Sequence, residues 1–296
     1  MRFSLGLPIN SGGPPIRPDL LADMARVAEA AGFDACNVTD HPFPAVGRDT
    51  GAHHAWDPFA LLAALAAATT TIRLHTSVLV LPYRNPFLVA SQATTVDHIS
   101  NGRLILGLGA GFLAGEFAAL GASIQDRGSR MDDSLVALQA AWTGEPVTLS
   151  GRGWVAAGNS LPAPVQRPHP PLWIAGNSGA AMRRAVVHGQ GWSPVGMSAA
   201  AAGASRTAPM DSVAALERRL AECRRLAEAE NRQEPLDICL VRAGWGRPDA
   251  DPTGADVERV AELEGLGVSW YAIRVEGDSP AAITERIMRW ADALGL

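Results

Sequence analysis

Lysine is absent from this chain: all 25 basic residues among its 296 are arginine. Schiff-base chemistry and lysine-based proton transfer are therefore excluded. The arginines are scattered without a basic run, and the formal net charge is -5, so no nucleic-acid partner is expected. Cysteine is scarce too. Cys36, Cys223 and Cys239 stand far apart, each in an apolar-periodic segment. That pattern fits neither a zinc site nor a disulfide framework and reads as buried thiols of a reducing compartment. No segment offers about 18 uninterrupted apolar residues. The chain opens on the strand-like Arg2-Phe3-Ser4-Leu5-Gly6-Leu7-Pro8 where a secretory leader would carry a basic stub and an apolar core. A soluble, cytoplasmic protein with no membrane partner is the expectation.

What is present is apolar side chain, 47% of residues against 19% charged, enough to bury a large core without disulfide or metal. Short apolar runs alternate with longer amphipathic ones, the signature of strand–helix units. Leu20, Met24, Val27, Ala28 and Ala31 recur at helical spacing and stop at Gly32, a left-handed cap residue. The strand Phe33 to Asp40 follows. Asp57-Pro58 opens an alanine-rich helix to Ala68, and Asn85-Pro86 opens another to about His98. The third strand reads as Ile72 to Leu81 and the fourth as Leu104 to Leu108, entered through the turn Asn101-Gly102. Met131, Leu135, Leu138 and Trp142 mark the helix that ends at Gly144. Later strands read as Leu172 to Ala175, Gly191 to Val195, Leu236 to Val241 and Val268 to Val275. Later helices are marked by Val213, Leu216, Leu220 and Cys223, and by Ile283, Ile287, Trp290 and Leu294. Eight strands in one chain of this length predict an α/β fold, a single (β/α)8 TIM barrel spanning 1–296. An irregular hairpin insertion over about 145–171 stands between the fourth helix and the fifth strand. The tract Ala199 to Ala208 reads as a low-complexity loop.

In such a barrel the chemistry sits where strands end. Asp40-His41 closes strand two with a carboxylate beside an imidazole, a pair that can tune a proton donor. His53, His54 and Asp57 are the only nearby groups that could complete a metal site, and they form no ligand spacing, so no metal is expected. Thr76-Ser77-Val78 interrupts strand three with hydroxyls, which can meet a ligand or bond to neighbouring backbone. Gly107-Leu108-Gly109-Ala110-Gly111 ends strand four with glycines that admit a flat ligand or a phosphate. Phe112 stands where the dinucleotide fingerprint would have its third glycine. Gly176-Asn177-Ser178-Gly179 precedes a helix whose N-terminus can cradle a phosphate without lysine.

Taken in order, Ala30-Ala31-Gly32-Phe33-Asp34-Ala35, Val38-Thr39-Asp40-His41, Arg84-Asn85-Pro86, Ser100-Asn101-Gly102-Arg103 through Gly111, and Pro164-Val165-Gln166-Arg167-Pro168-His169-Pro170-Pro171 through Ser178 resemble the luciferase-like monooxygenase superfamily. The Asp-His ending of strand two resembles its branch that uses the deazaflavin coenzyme F420, with the flavin mononucleotide (FMN) branch next. The resemblance implies a homodimer with the cofactor ring in the barrel mouth, Asp40 contacting the ring and His41 moving a proton or binding beside the reacting carbon. It implies a non-proline cis peptide at Ser77-Val78, a ring passed by Gly109, Ala110 and Gly111, and a phosphate held by Gly176, Asn177, Ser178 and Gly179. Sugar-phosphate dehydrogenases of this family carry a glutamate where this chain has Phe112, and lysine among their phosphate ligands. A sugar phosphate is therefore not expected.

Phe43, Trp56, Tyr83 and Phe112 suit either an apolar organic substrate or simple packing, and the former is the expectation. The expected activity is a hydride exchange between coenzyme F420 and that substrate, with Asp40 holding the cofactor and biasing His41, which is the only obvious proton-transfer group left for the pocket. An FMN-dependent two-component monooxygenase is the alternative. A non-catalytic flavin or deazaflavin carrier, kept open by Phe112, and a metal-dependent barrel hydrolase stand behind it.

Overall fold

A computed structural model describes residues 1–8, 16–44, 55–241 and 251–296. His53 and His54 lie outside the described residues. The chain runs β1 (Arg2–Gly6), α1 (Pro18–Ala30), β2 (Ala35–Val38), α2 (Pro58–Ala68), β3 (Arg73–Thr76), β4 (Leu79–Val80), α3 (Pro86–Ser100) and β5 (Leu104–Gly109). It continues through α4 (Ala114–Ala119), α5 (Arg127–Ala141), β6 (Val147–Gly151), β7 (Trp154–Gly158), β8 (Leu172–Ala175), α6 (Gly179–His188) and β9 (Gly191–Ser193). The last part holds α7 (Ala199–Ala204), α8 (Val213–Ala229), β10 (Asp237–Val241), α9 (Gly254–Gly265), β11 (Trp270–Arg274) and α10 (Pro280–Leu294).

β1 pairs in parallel with β2 on one side and β11 on the other, and the ladder passes through β10, β9, β8 and β5 to β3. Eight strand positions, the third shared by β3 and β4, therefore close into a (β/α)8 barrel, the fold expected from the sequence. β6 and β7 form an antiparallel hairpin outside that ladder, between α5 and β8. Gln166 ties this excursion down, its amide donating to Asp97 Oδ1 at 2.7 Å and to the Leu104 carbonyl at 2.7 Å.

Local chemistry sets the helix ends. Asp57 accepts the Ala60 N–H at 2.9 Å, and Asn85 accepts those of Phe87 and Leu88 at 3.0 and 3.3 Å, so each Asx-Pro pair caps the helix it opens. Gly32 takes φ +92°, the left-handed turn that ends α1. At the next junction Glu29 accepts the N–H groups of Thr70, Thr71 and Ile72 at 2.9, 2.6 and 2.9 Å. Burial raises the pKa of that carboxyl, but these donors together bring it down to about 2.

Three expectations change. The strand Ile72 to Leu81 is not continuous: it breaks after Thr76, and β4 re-forms pairing with β5 alone. The tract Ala199 to Ala208 is not all loop, because Ser198 accepts the Ala201 N–H at 3.3 Å and starts α7. The short α4 has no counterpart among the helices read from periodicity.

Alternating strand residues divide the core in two. Ala35, Ile105, Trp173, Cys239, Trp270 and Ala272 pack together inside the barrel, while the larger cluster lies between strands and helices. His75 is wholly buried, edge-on to Trp173 at 4.8 Å between ring centres. Cys36, Cys223 and Cys239 are free and buried. Among the described residues no helix is long and apolar enough to cross a membrane.

Candidate functional site

Because β2 ends at Val38, Asp40 and His41 emerge at the C-terminal mouth of the barrel. Asp40 is only 3% exposed. Its carboxylate accepts from Arg84 Nη2 at 2.7 Å, from the Val80 N–H at 2.9 Å and from the Tyr83 hydroxyl at 3.4 Å. Burial raises its pKa and the Arg84 guanidinium opposes that rise. Arg84 entered the sequence reading only as part of the Arg-Asn-Pro run. It is the counter-charge that allows a carboxylate to be buried here.

The hydrogen bonds of Asp40 also explain the broken strand. Ser77 N–H still reaches the Val38 carbonyl at 2.7 Å, but no β2 residue lies beyond to pair with β4, and Asp40 supplies the acceptor for Val80 in its place. Ser77 and Val78, half-buried between the two pieces, are joined by the cis peptide that the resemblance implies. Thr76 is fully buried and donates its hydroxyl to the Gly107 carbonyl at 2.7 Å. That hydroxyl serves the barrel wall.

His41 faces a group that the sequence reading missed. Its Nδ1 lies 3.3 and 3.2 Å from the two carboxylate oxygens of Glu116, which is 2% exposed. His41 is therefore not the only side chain at the mouth whose chemistry suits proton transfer. The signal was there: Glu116 follows the strand-four glycines, and Leu113, Phe117 and Leu120 around it recur at helical spacing. Phe112 stands edge-on to the imidazole at 6.4 Å.

The glycines of β5 are first of all a demand of the wall itself. A Cβ at Gly107 would lie 2.0 Å from the Thr76 carbonyl oxygen, and one at Gly109 would lie 2.7 Å from Val78 Cγ2. Gly111, at φ +75°, leaves the space that Val80 and Phe117 fill, at 2.6 and 2.7 Å from a Cβ there. Ala110 between them is half-buried. Small residues here let β5 lie close against the displaced strand at Thr76, Val78 and Val80.

At the next strand end the phosphate candidates separate. Asn177 is fully buried and spends its amide on the Val195 and Ala208 carbonyls at 2.8 and 3.0 Å and the Val195 N–H at 2.8 Å. Gly176 N–H goes to the Ser193 carbonyl at 3.2 Å. Ser178 caps α6 through the Ala181 N–H at 3.2 Å, and Gly179 and Ala180 in the first turn are both exposed.

The substrate-pocket candidates also divide. Tyr83 packs edge-on to Phe117 at 5.3 Å and belongs to the wall behind Asp40. Trp56 donates its indole N–H to the Ile16 carbonyl at 2.9 Å, while Phe43 is 65% exposed just beyond His41. Among the described residues no cluster of three His, Cys, Asp or Glu side chains could hold a metal.

The sequence profile described as luciferase-like monooxygenase matches residues 1–232. The chain is 34% identical over 135 residues to the oxygenase component of the flavin-dependent trigonelline monooxygenase of Acinetobacter baylyi, covering 43% of this chain and 37% of that protein. It is 34% identical over 138 residues to the F420-dependent glucose-6-phosphate dehydrogenase of Amycolatopsis mediterranei, covering 45% of this chain and 40% of the other. The chain thus spans less than half the length of either relative. Among solved structures, the monooxygenase RslO1 of Streptomyces bottropensis superposes with a TM-score of 0.76 at 21% identity over 99% of this chain and 98% of that one, a likeness of fold.

Proposed function

The chain belongs to the luciferase-like monooxygenase family, and from that premise we propose that it is an oxidoreductase using coenzyme F420 to convert an apolar organic substrate. The observation that carries this reading is the His41–Glu116 pair at the barrel mouth. Coenzyme F420, when bound, supplies a hydride donor or acceptor. Moving a hydride to or from a carbon bonded to oxygen or nitrogen obliges a proton to move as well, and His41 is placed to give or take it.

The residues present fit such a group. Ser77, Val78 and the run Gly109, Ala110 and Gly111 offer a shallow wall for a flat ring, and the N–H groups of Gly179 and Ala180 suit a phosphate where lysine is absent. Asp40 acts by bracing that wall. The same donor set fits FMN, and the similarity to a flavin-dependent monooxygenase favours that as the second reading. Glucose 6-phosphate is not proposed as substrate, because no lysine is available to its phosphate and Phe112 stands where the resemblance implies a glutamate for sugar-phosphate enzymes. The exposed Phe43 and the Phe112 ring beside His41 suit an apolar compound instead. A cytoplasmic homodimer belongs to the same reading.

The test is equilibrium titration of the apoprotein with coenzyme F420 and, separately, with FMN, followed by fluorescence. The expected result is tighter binding of coenzyme F420. Tight binding of FMN alone, with oxygen consumed once a flavin reductase is supplied, overturns the proposal in favour of a monooxygenase.

A further inference from the structure

The imidazole at the mouth has two chemically different nitrogens, and which of them carries the proton decides what it can do. An ionised carboxylate has no hydrogen to give and can only accept. Both oxygens of Glu116 lie within 3.3 Å of His41 Nδ1, the arrangement in which a hydrogen on Nδ1 meets two acceptors. We propose that Glu116 is a positioning residue for His41, fixing the proton on Nδ1 and dedicating Nε2 to proton exchange with the substrate. The inference deepens the oxidoreductase reading and rests on His41 being its proton-transfer group.

The surroundings show how Glu116 is held to that task. It sits in the first turn of the six-residue α4, an element too short to be stable by itself. Its neighbour Phe117 anchors the turn, filling the space left by Gly111 and standing edge-on to Tyr83 at 5.3 Å. Tyr83 in turn donates to Asp40, the residue before His41. Asp40, Tyr83, Phe117, Glu116 and His41 thus form a closed circuit in which each contact is set by the next. The two carboxylates divide the work: Asp40, paired with Arg84, completes the wall, and Glu116 orients the ring. A buried carboxylate is costly without a partner, and the described partner of Glu116 is this imidazole.

The test reads the tautomer directly in the apoprotein, by long-range proton–nitrogen correlation spectra of histidine-labelled protein at a pH where His41 is neutral. The expected result is a His41 signal of the Nδ1–H form, the tautomer that free histidine disfavours, and a shift to the Nε2–H form in Glu116→Ala. Glu116→Gln, which keeps size but can also donate, is expected to give a mixture. In turnover, Glu116→Ala is expected to lower kcat about 10²-fold, at the lower end of what acid–base help supplies, with cofactor affinity unchanged. A wild-type His41 in the Nε2–H form overturns the proposal without any variant having to fold. So does an unchanged tautomer in a folded Glu116→Ala. Because no cofactor enters this measurement, a chain that binds FMN in place of coenzyme F420 defeats the functional reading and leaves this one to be judged on its own spectrum.

Discussion

His41 is held between a carboxylate and an aromatic edge, at the end of a strand and outside the ladder. On the proposed reading, removing its ring deletes a proton route while leaving the barrel closed. We expect His41→Ala to lower kcat by roughly 10²–10⁴-fold with little change in the dissociation constant of the cofactor, measured by the same fluorescence titration. An equal loss in both quantities would make His41 a binding residue. Asp40 and His41 were legible in the sequence because their placement follows from chain order: an apolar run ends, and polar residues come next. For Glu116 only a short helical spacing was legible, since its contact with His41 spans 75 positions and depends on how α4 is anchored. Arg84 escaped for the same reason, and so did the commitment of Asn177 to the Val195 and Ala208 carbonyls, 18 and 31 positions on.

Elements read well where their ends are local and poorly where a neighbour decides. Asp57-Pro58 and Asn85-Pro86 announce their helices because a cap is made within four residues. The Ile72 to Leu81 run conceals a break, because the apolar pattern is the same whether a strand keeps its partner or loses it. Alanine-rich α7 has no amphipathic signature at all, and only its serine cap gives it away. The break has a counterpart in β5, whose glycines accommodate the displaced strand. Gly107→Ala would drive a methyl group into the Thr76 carbonyl, 2.0 Å from the Cβ position, where backbone and not a flexible side chain must yield. We expect a loss of about 1–3 kcal/mol by the usual cost of overpacking, read as a lower urea midpoint, whereas Gly115→Ala, with open space around it, should cost nothing or stabilise the short helix slightly.

For the molecule as a whole, the buried His75 sets a dependence of stability on pH. Burial pushes its pKa down to about 3 from 6.5, so between those values the unfolded chain takes up a proton that the folded barrel refuses. Stability is then complete above about 6.5 and falls as the solution is acidified toward 3, by up to about 1.4 kcal/mol per pH unit. His169 and His188, also lowered by burial, add to the fall with the same sign. The discriminating measurement is the difference between wild type and His75→Gln in urea midpoint from pH 7 to pH 4, where the variant should show the shallower decline. Parallel declines would assign the effect to other groups. The closure of the barrel is also what ties the pocket to the fold. At Val80 a side-chain oxygen of Asp40 occupies the place of a main-chain carbonyl in the ladder, so one seam of the wall is sewn with a mutable atom. Selection for a new substrate can rework Phe43 or Phe112, whereas a change at Asp40 strips Val80 of its acceptor and Arg84 of its counter-ion, even though the β2–β3–β5 ladder stays paired.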